Sequence, residues 1–163
     1  MQETRLRLLQ EMPIFGGVTQ ATLNFLLEFA PLVPVASNGY YFQQGDQADS
    51  VFVLEEGKVA VIKTWQGEAC VLKTLEKGDC FGEMALMDLL PRSASVMAIE
   101  PSRAIQISAA MLYQLYTQDI EQFVIIQMNM AREVSRRLRA ADDRLFEERF
   151  RNKSGESYGF YSV

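Results

Sequence analysis

Histidine is absent from this 163-residue chain. With it go the commonest general base, the commonest zinc ligand and every Ser-His-Asp or Cys-His arrangement. Hydrolytic chemistry loses its usual machinery, and no enzyme activity is expected. Cysteine occurs only at Cys70 and Cys80. Their spacing fits no zinc pattern, and without histidine they complete no common four-ligand site, so neither a metal nor another cofactor is expected. Both are read as reduced, half-buried strand residues, in keeping with a cytoplasmic location. Long apolar runs are lacking too. The longest, Leu23 to Val35, is broken by Asn24, Glu28, Pro31 and Pro34 and falls short of the ~20 residues that span a bilayer. Met1 to Gln10 carry Arg5 and Arg7 without an apolar segment, so no signal peptide is read there. Positive charge is the scarcer sign, 16 basic against 21 acidic residues for a net charge of −5. Such a balance excludes a surface that tracks nucleic acid or anionic lipid as a whole, so any anion must be caught locally.

What is present is an ordinary globular composition, 48% apolar and 23% charged, enough for one domain with a real core. Leu6, Leu9 and Met12 recur at helical spacing before Pro13, and Thr19 caps a second helix carrying Leu23, Leu26 and Leu27. From Leu32 to Ile107 the pattern changes to short Val-, Ile-, Phe- and Tyr-rich runs punctuated by glycine. The fold expected is mainly β: a jelly-roll-like antiparallel sandwich with N-terminal helices and a long C-terminal helix. Val51 and Val53 alternate with Val59 and Val61 about a Glu55-Glu56-Gly57-Lys58 turn, and Trp65-Gln66-Gly67-Glu68 marks the next hairpin. After Ser108, a helix N-cap, helical spacing resumes, and a proline- and glycine-free helix is predicted from about Asp119 to Phe150. Its stripe of Ile120, Phe123, Gln127, Met130, Val134, Leu138, Ala141 and Leu145 is close to a heptad seam. The first half is expected to pack on the β unit. The second half outruns any small sandwich, which predicts a homodimer through residues 120–145. Seven arginines between Arg132 and Arg151 alternate with acids, the pattern of a solvated helix face. Residues 1–150 are read as one domain and 151–163 as a flexible tail.

Phe81-Gly82-Glu83-Met84-Ala85-Leu86-Met87-Asp88-Leu89-Leu90-Pro91-Arg92-Ser93-Ala94 separates two predicted strands that a plain hairpin would join with far fewer residues. Gly82 lets the backbone approach a ligand, and Glu83 to Met87 can form one helical turn with free N–H groups for an anion. Arg92, after Pro91, offers a planar two-pronged donor to the same anion. Glu83 makes sense beside an anion site if it accepts from a sugar hydroxyl. A phosphate and a ribose hydroxyl inside a β sandwich describe a nucleotide pocket. The competing reading is a buried Glu83–Arg92 salt bridge that merely holds the loop.

Phe81, Gly82, Glu83, Ala85, Leu86, Pro91, Arg92 and Ala94 stand in the order Phe-Gly-Glu-x-Ala-Leu, spacer, Pro-Arg-x-Ala. In this the chain resembles the cyclic nucleotide-binding domain family, shared by catabolite-activator-type regulators, protein kinase A regulatory subunits and cyclic nucleotide-gated channels. Gly45 to Leu54 and Gly57-Lys58-Val59 resemble its early strands. The resemblance implies that Glu83 binds the ribose 2′-hydroxyl and Arg92 the cyclic phosphate, with Gly82, Ala85 and Ser93 as further donors. Phe81, Met84 and Ala94 complete the cassette, Val61, Val71, Leu72 and Lys73 wall the base, and Asp142 or Asp143 reads it. The ligand expected is cAMP, with cGMP as the alternative. The function expected is a stand-alone cyclic nucleotide receptor signalling through its C-terminal helix to a separate effector protein, without direct DNA binding. Two alternatives remain at this level: an interaction protein with a vestigial cassette, and a piece of a transcription regulator lacking its DNA-binding domain.

Overall fold

A computed structural model describes residues 2–151; the predicted flexible tail lies outside the described residues. Helix α1 (Gln2–Glu11) ends before Pro13, which opens a short 3₁₀ turn (Pro13–Phe15). Helix α2 (Gln20–Phe29) starts at Thr19, whose hydroxyl accepts from the Thr22 N–H. Strands β1 (Leu32–Val35), β2 (Tyr40–Phe42), β3 (Ser50–Glu56), β4 (Val59–Trp65), β5 (Glu68–Leu75) and β6 (Cys80–Phe81) follow. Then come helix α3 (Met84–Asp88), strands β7 (Ser95–Ala98) and β8 (Ser102–Ser108), and helices α4 (Ala109–Gln118) and α5 (Ile120–Arg151). Ser108 caps α4 as its sequence predicts, accepting from the Met111 N–H.

The strands form two four-stranded antiparallel sheets, ordered β1-β8-β3-β6 and β2-β7-β4-β5. The Trp65–Glu68 turn is a true hairpin, with Gln66 and Gly67 both at positive φ, which matches the right-handed twist of its strands. The Glu55–Lys58 turn is not: β3 and β4 lie in different sheets, so this turn carries the chain across the sandwich. Gly57 allows the crossing, because its φ is +88° and a Cβ there would sit 2.6 Å from the Pro101 carbonyl oxygen.

Two cores result. Phe52, Leu54, Val59, Leu75, Phe81, Val96 and Ala104 fill the sandwich. Val51, Val53, Ile105 and Ile107, on the other face of the first sheet, pack under the helices against Leu9, Leu23, Leu26, Leu112 and Ile126. Ser50 through Leu54 are therefore all buried, because β3 is covered on both faces. Helix α5 packs mainly on α4 and the 3₁₀ turn, with Ile126 and Met130 reaching the core under the first sheet. Its buried residues are Gln122, Ile126, Asn129 and Met130. Gln122 accepts from the Thr19 N–H, and Asn129 donates to the Ile14 and Gly16 carbonyls. Of the predicted seam, Met130 is thus core, while Leu138 and Leu145 are exposed. Both cysteines are free, but neither is half-buried: Cys70 is exposed and Cys80 buried.

Candidate functional site

Phe81 anchors the cassette by stacking on Phe52 in the sandwich, ring centroids 5.3 Å apart. The chain then turns at Gly82, at φ +84°. A Cβ there would lie 2.5 Å from Arg92 Nη1 and 3.3 Å from the Ser50 carbonyl oxygen, so glycine is needed as much for the arginine's approach as for a ligand's. The backbone of Arg92 is held on both sides, its N–H donating to Asp46 O at 2.8 Å and its carbonyl accepting from Gly45 N at 2.9 Å. Its guanidinium donates to Gly82 O (2.9 Å) and Ser50 O (2.7 Å) and lies 4.0 Å from the Phe42 ring centroid. Burial pulls its pKa below the ordinary arginine range, against Asp49, Asp46 and Glu83, which raise it.

Glu83 is 1% exposed and does not pair with Arg92, so the competing salt-bridge reading is not what forms. Its partner is Arg137 of α5. That guanidinium also donates to Cys80 O at 2.8 Å and to Glu133 Oε1 at 2.9 Å. Glu133 Oε2 in turn accepts from Arg136 at 2.6 Å. A chain of charges, Glu83–Arg137–Glu133–Arg136, thus runs from the cassette to the outside of α5. Burial disfavours the charge on Arg137, but Glu83, Cys80 and Glu133 outweigh it and raise its pKa. Burial likewise pushes Glu133 up, and Arg136 and Arg137 bring it below the usual carboxylate range. The Cys80 thiol is pushed up to about 12, chiefly by burial.

These elements enclose a cavity of about 680 Å³. The cassette contributes Phe81, Gly82, Glu83, Met84, Arg92, Ser93 and Ala94, and the β4–β5 hairpin contributes Val61, Leu72 and Lys73. Two predicted residues sit elsewhere. Val71 is 56% exposed and off the cavity: the ladder pairs Val61 with Lys73 but Ile62 with Val71, leaving Leu72 as the extra residue of a bulge. Asp142 is exposed and off the cavity, whereas Asp143 lines it. Ala85 lies within α3.

Residues the sequence did not single out are Phe42, Lys63, Leu75, Val96, Arg137, Ala140 and Arg144. Strand alternation would have found Leu75 from Lys73 and Val96 from Ala94. Nothing local marks Arg137 among its neighbouring arginines. Five cations and two carboxylates line this cavity of an acidic chain. On two residues that line it, Glu83 Oε2 and Arg92 Nε are buried with no hydrogen-bond partner. One can accept from a hydroxyl and the other can donate to an anion. No group of three or more Cys, Asp or Glu able to hold a metal is found among the described residues.

Residues 32–119 match the description of the cyclic nucleotide-binding domain. The cyclic AMP receptor protein of Thermus thermophilus is 30% identical over 145 residues, 86% of this chain and 65% of that protein. A cAMP-dependent protein kinase regulatory subunit of Yarrowia lipolytica is 34% identical over 90 residues, 55% of this chain and 24% of that one. This chain therefore spans less than two thirds of these relatives' length. Among solved structures, a cyclic nucleotide-binding domain from Methylobacillus flagellatus superposes with a TM-score of 0.80 at 22% identity, covering 99% of this chain and 86% of that one. The Thermus thermophilus catabolite activator protein superposes with a TM-score of 0.73 at 28% identity, covering 85% and 63%. With the match taking in the sandwich and the whole cassette, this chain belongs to the cyclic nucleotide-binding domain family.

Proposed function

We propose that the chain is a cyclic nucleotide receptor, with cAMP as ligand and cGMP as the alternative, whose bound state is read through α5. The carrying observation is the pair of unpartnered buried atoms, Glu83 Oε2 and Arg92 Nε, on residues that line one cavity. A ribose 2′-hydroxyl satisfies the first and a cyclic phosphate the second. Gly82, Ala85 and Ser93 supply further donors to the phosphate, Val61 and Leu72 flank the base, and of the two carboxylates expected to read the base Asp143, which lines the cavity, takes that role. Arg137 is the reason to place the output on α5: the carboxylate that meets the sugar is already held by that helix, so a ligand that shifts Glu83 shifts α5 with it. Calorimetric titration with cAMP and with cGMP tests the reading. One-to-one binding of either supports it, and binding of neither overturns it in favour of an interaction protein with a vestigial cassette.

The outer face of α5 carries a second part of the reading, homodimerisation. Val124, Met128, Leu138 and Leu145 are all exposed on it. They follow one another in steps of four, ten and seven along a 32-residue helix, an apolar face extending past the folded core.

A further inference from the structure

We propose that Lys73 is a modification site: its Nζ takes the acyl group of small acyl phosphates entering the cavity, and the amide formed, by removing one of the cavity's cations, weakens binding of the cyclic nucleotide there. The effect on nucleotide binding rests on the function proposed above; the acylation does not. Three lysines on the second sheet's hairpin side differ in their partners. Lys58 is clamped to Glu76 at 2.7 Å, and Lys63 donates to Ser93 O at 2.6 Å. The side chain of Lys73, half-buried in the cavity wall, makes no hydrogen bond or ion pair with the described residues. The titratable groups facing it are Arg137 from α5, Glu83 from the cassette, the Cys80 thiol of β6 and Asp79 just before that strand. Burial first, and Arg137 second, pull its pKa below the ordinary lysine range, against Glu83, Cys80 and Asp79. Lys58 is shifted the other way by Glu76. At any neutral pH more of Lys73 is therefore the free amine, which is the nucleophile.

The same cavity recruits the reagent. An acyl phosphate is a small anion, and Arg92, Arg137 and Arg144 line the space Lys73 faces. In the step, the Nζ lone pair attacks the acyl carbon and a C–N bond forms. The C–O bond to phosphate breaks, inorganic phosphate leaves with the electron pair, and the proton released by nitrogen goes to water. No oxidant or reductant is needed. The product removes a charge that Arg137 repels and places an uncharged acyl group against the cavity wall.

The test incubates the full chain with acetyl phosphate near neutral pH and follows acetylation of each lysine by peptide mass spectrometry. Lys73, whose pKa burial lowers, should be acetylated faster than Lys58, whose pKa Glu76 raises. Its rate should saturate with reagent, rise with pH, and fall when inorganic phosphate or cAMP is added, while the Lys58 rate does not fall. A Lys73 rate no greater than that of Lys58, or one indifferent to phosphate, overturns the acylation. Acetylated and untreated protein are then titrated with cAMP and cGMP. Equal binding by both samples overturns the effect of acylation on binding; binding of neither nucleotide by untreated protein overturns that effect together with the receptor reading, while the Lys73 to Lys58 ratio still decides the acylation.

Discussion

Arg92 is held by carbonyl oxygens rather than by a carboxylate, which leaves its charge without a directly paired anion, the nearby Asp46, Asp49 and Glu83 acting only at longer range. Arg92→Ala should therefore weaken nucleotide binding by ~2–5 kcal/mol in calorimetry, the range for truncating one partner of a buried charge pair. Gly82 is coupled to it sterically. Gly82→Ala places a methyl group in the path of Nη1 at positive φ, so it should lower thermal stability as well as affinity, by about 1–3 kcal/mol of strain. A loss of affinity with no change in melting temperature would show that the glycine serves only the ligand. The two cysteines separate in the same way by environment. Cys80 is buried with its thiol pushed up to about 12, so iodoacetamide at pH 8 should label Cys70 alone until the protein is unfolded.

Helix α5 is tied to the rest of the molecule at both ends of its packed half. Gln122 and Asn129 clamp the N-terminal turn, and Arg137 clamps the cassette. Removing Arg137 leaves Glu83 buried without a counter-charge, and such half-pairs cost about 3–5 kcal/mol. Arg137→Met should accordingly lower the urea midpoint sharply, and adding Glu83→Gln should restore much of it, because the neutral amide no longer needs the cation. If the double variant is as unstable as the sum of the single ones, the pair is not the helix's tether. Glu133 adds a pH dependence of known sign. Its pKa is lowered in the folded chain, so its contribution is present above the ordinary glutamate pKa and lost as pH falls through the lowered value. Comparing urea midpoints of wild type and Glu133→Gln across the acid range should show the wild type losing more.

At the scale of the molecule, a chain of net charge −5 keeps a surplus of cations around one cavity. Long-range repulsion of an anionic ligand by the body and local attraction by the cavity compete, and salt screens both. Because the cavity charges act at shorter range in a less polar setting, the attraction dominates near the mouth. Stopped-flow association of a fluorescent cyclic nucleotide should slow by about tenfold from low to high salt; an accelerating rate would mean that the body's charge governs approach. The exposed side of α5 makes the assembly prediction. Light scattering should give twice the monomer mass, and Met128→Asp with Leu138→Asp should halve it without loss of the fold. No helix among the described residues is long and apolar enough to cross a membrane.

Features that are local along the chain were legible in the residues alone. Strand periods, the Thr19 and Ser108 caps, the hairpin at Gln66-Gly67 and the contiguous cassette from Phe81 to Ala94 depend on neighbours a few residues away, and alternation and turn chemistry report them directly. Tertiary structure alone decided the rest. Arg137 meets Glu83 across 54 residues, a separation that no periodicity records. Asp143 rather than Asp142 faces the cavity, because successive helix positions point about 100° apart. Which one turns inward is set by the rotation of α5 on Ile126, Asn129 and Met130. Val71 is lost from the wall, with Leu72 and Lys73 both kept, through one bulge in the β4–β5 ladder. The Glu55–Lys58 turn became a passage between sheets because β3 pairs with β8 and β6, not with β4. Alternation reveals that a strand has a buried face; it cannot choose the strand's neighbour, which is fixed by how all the faces pack together.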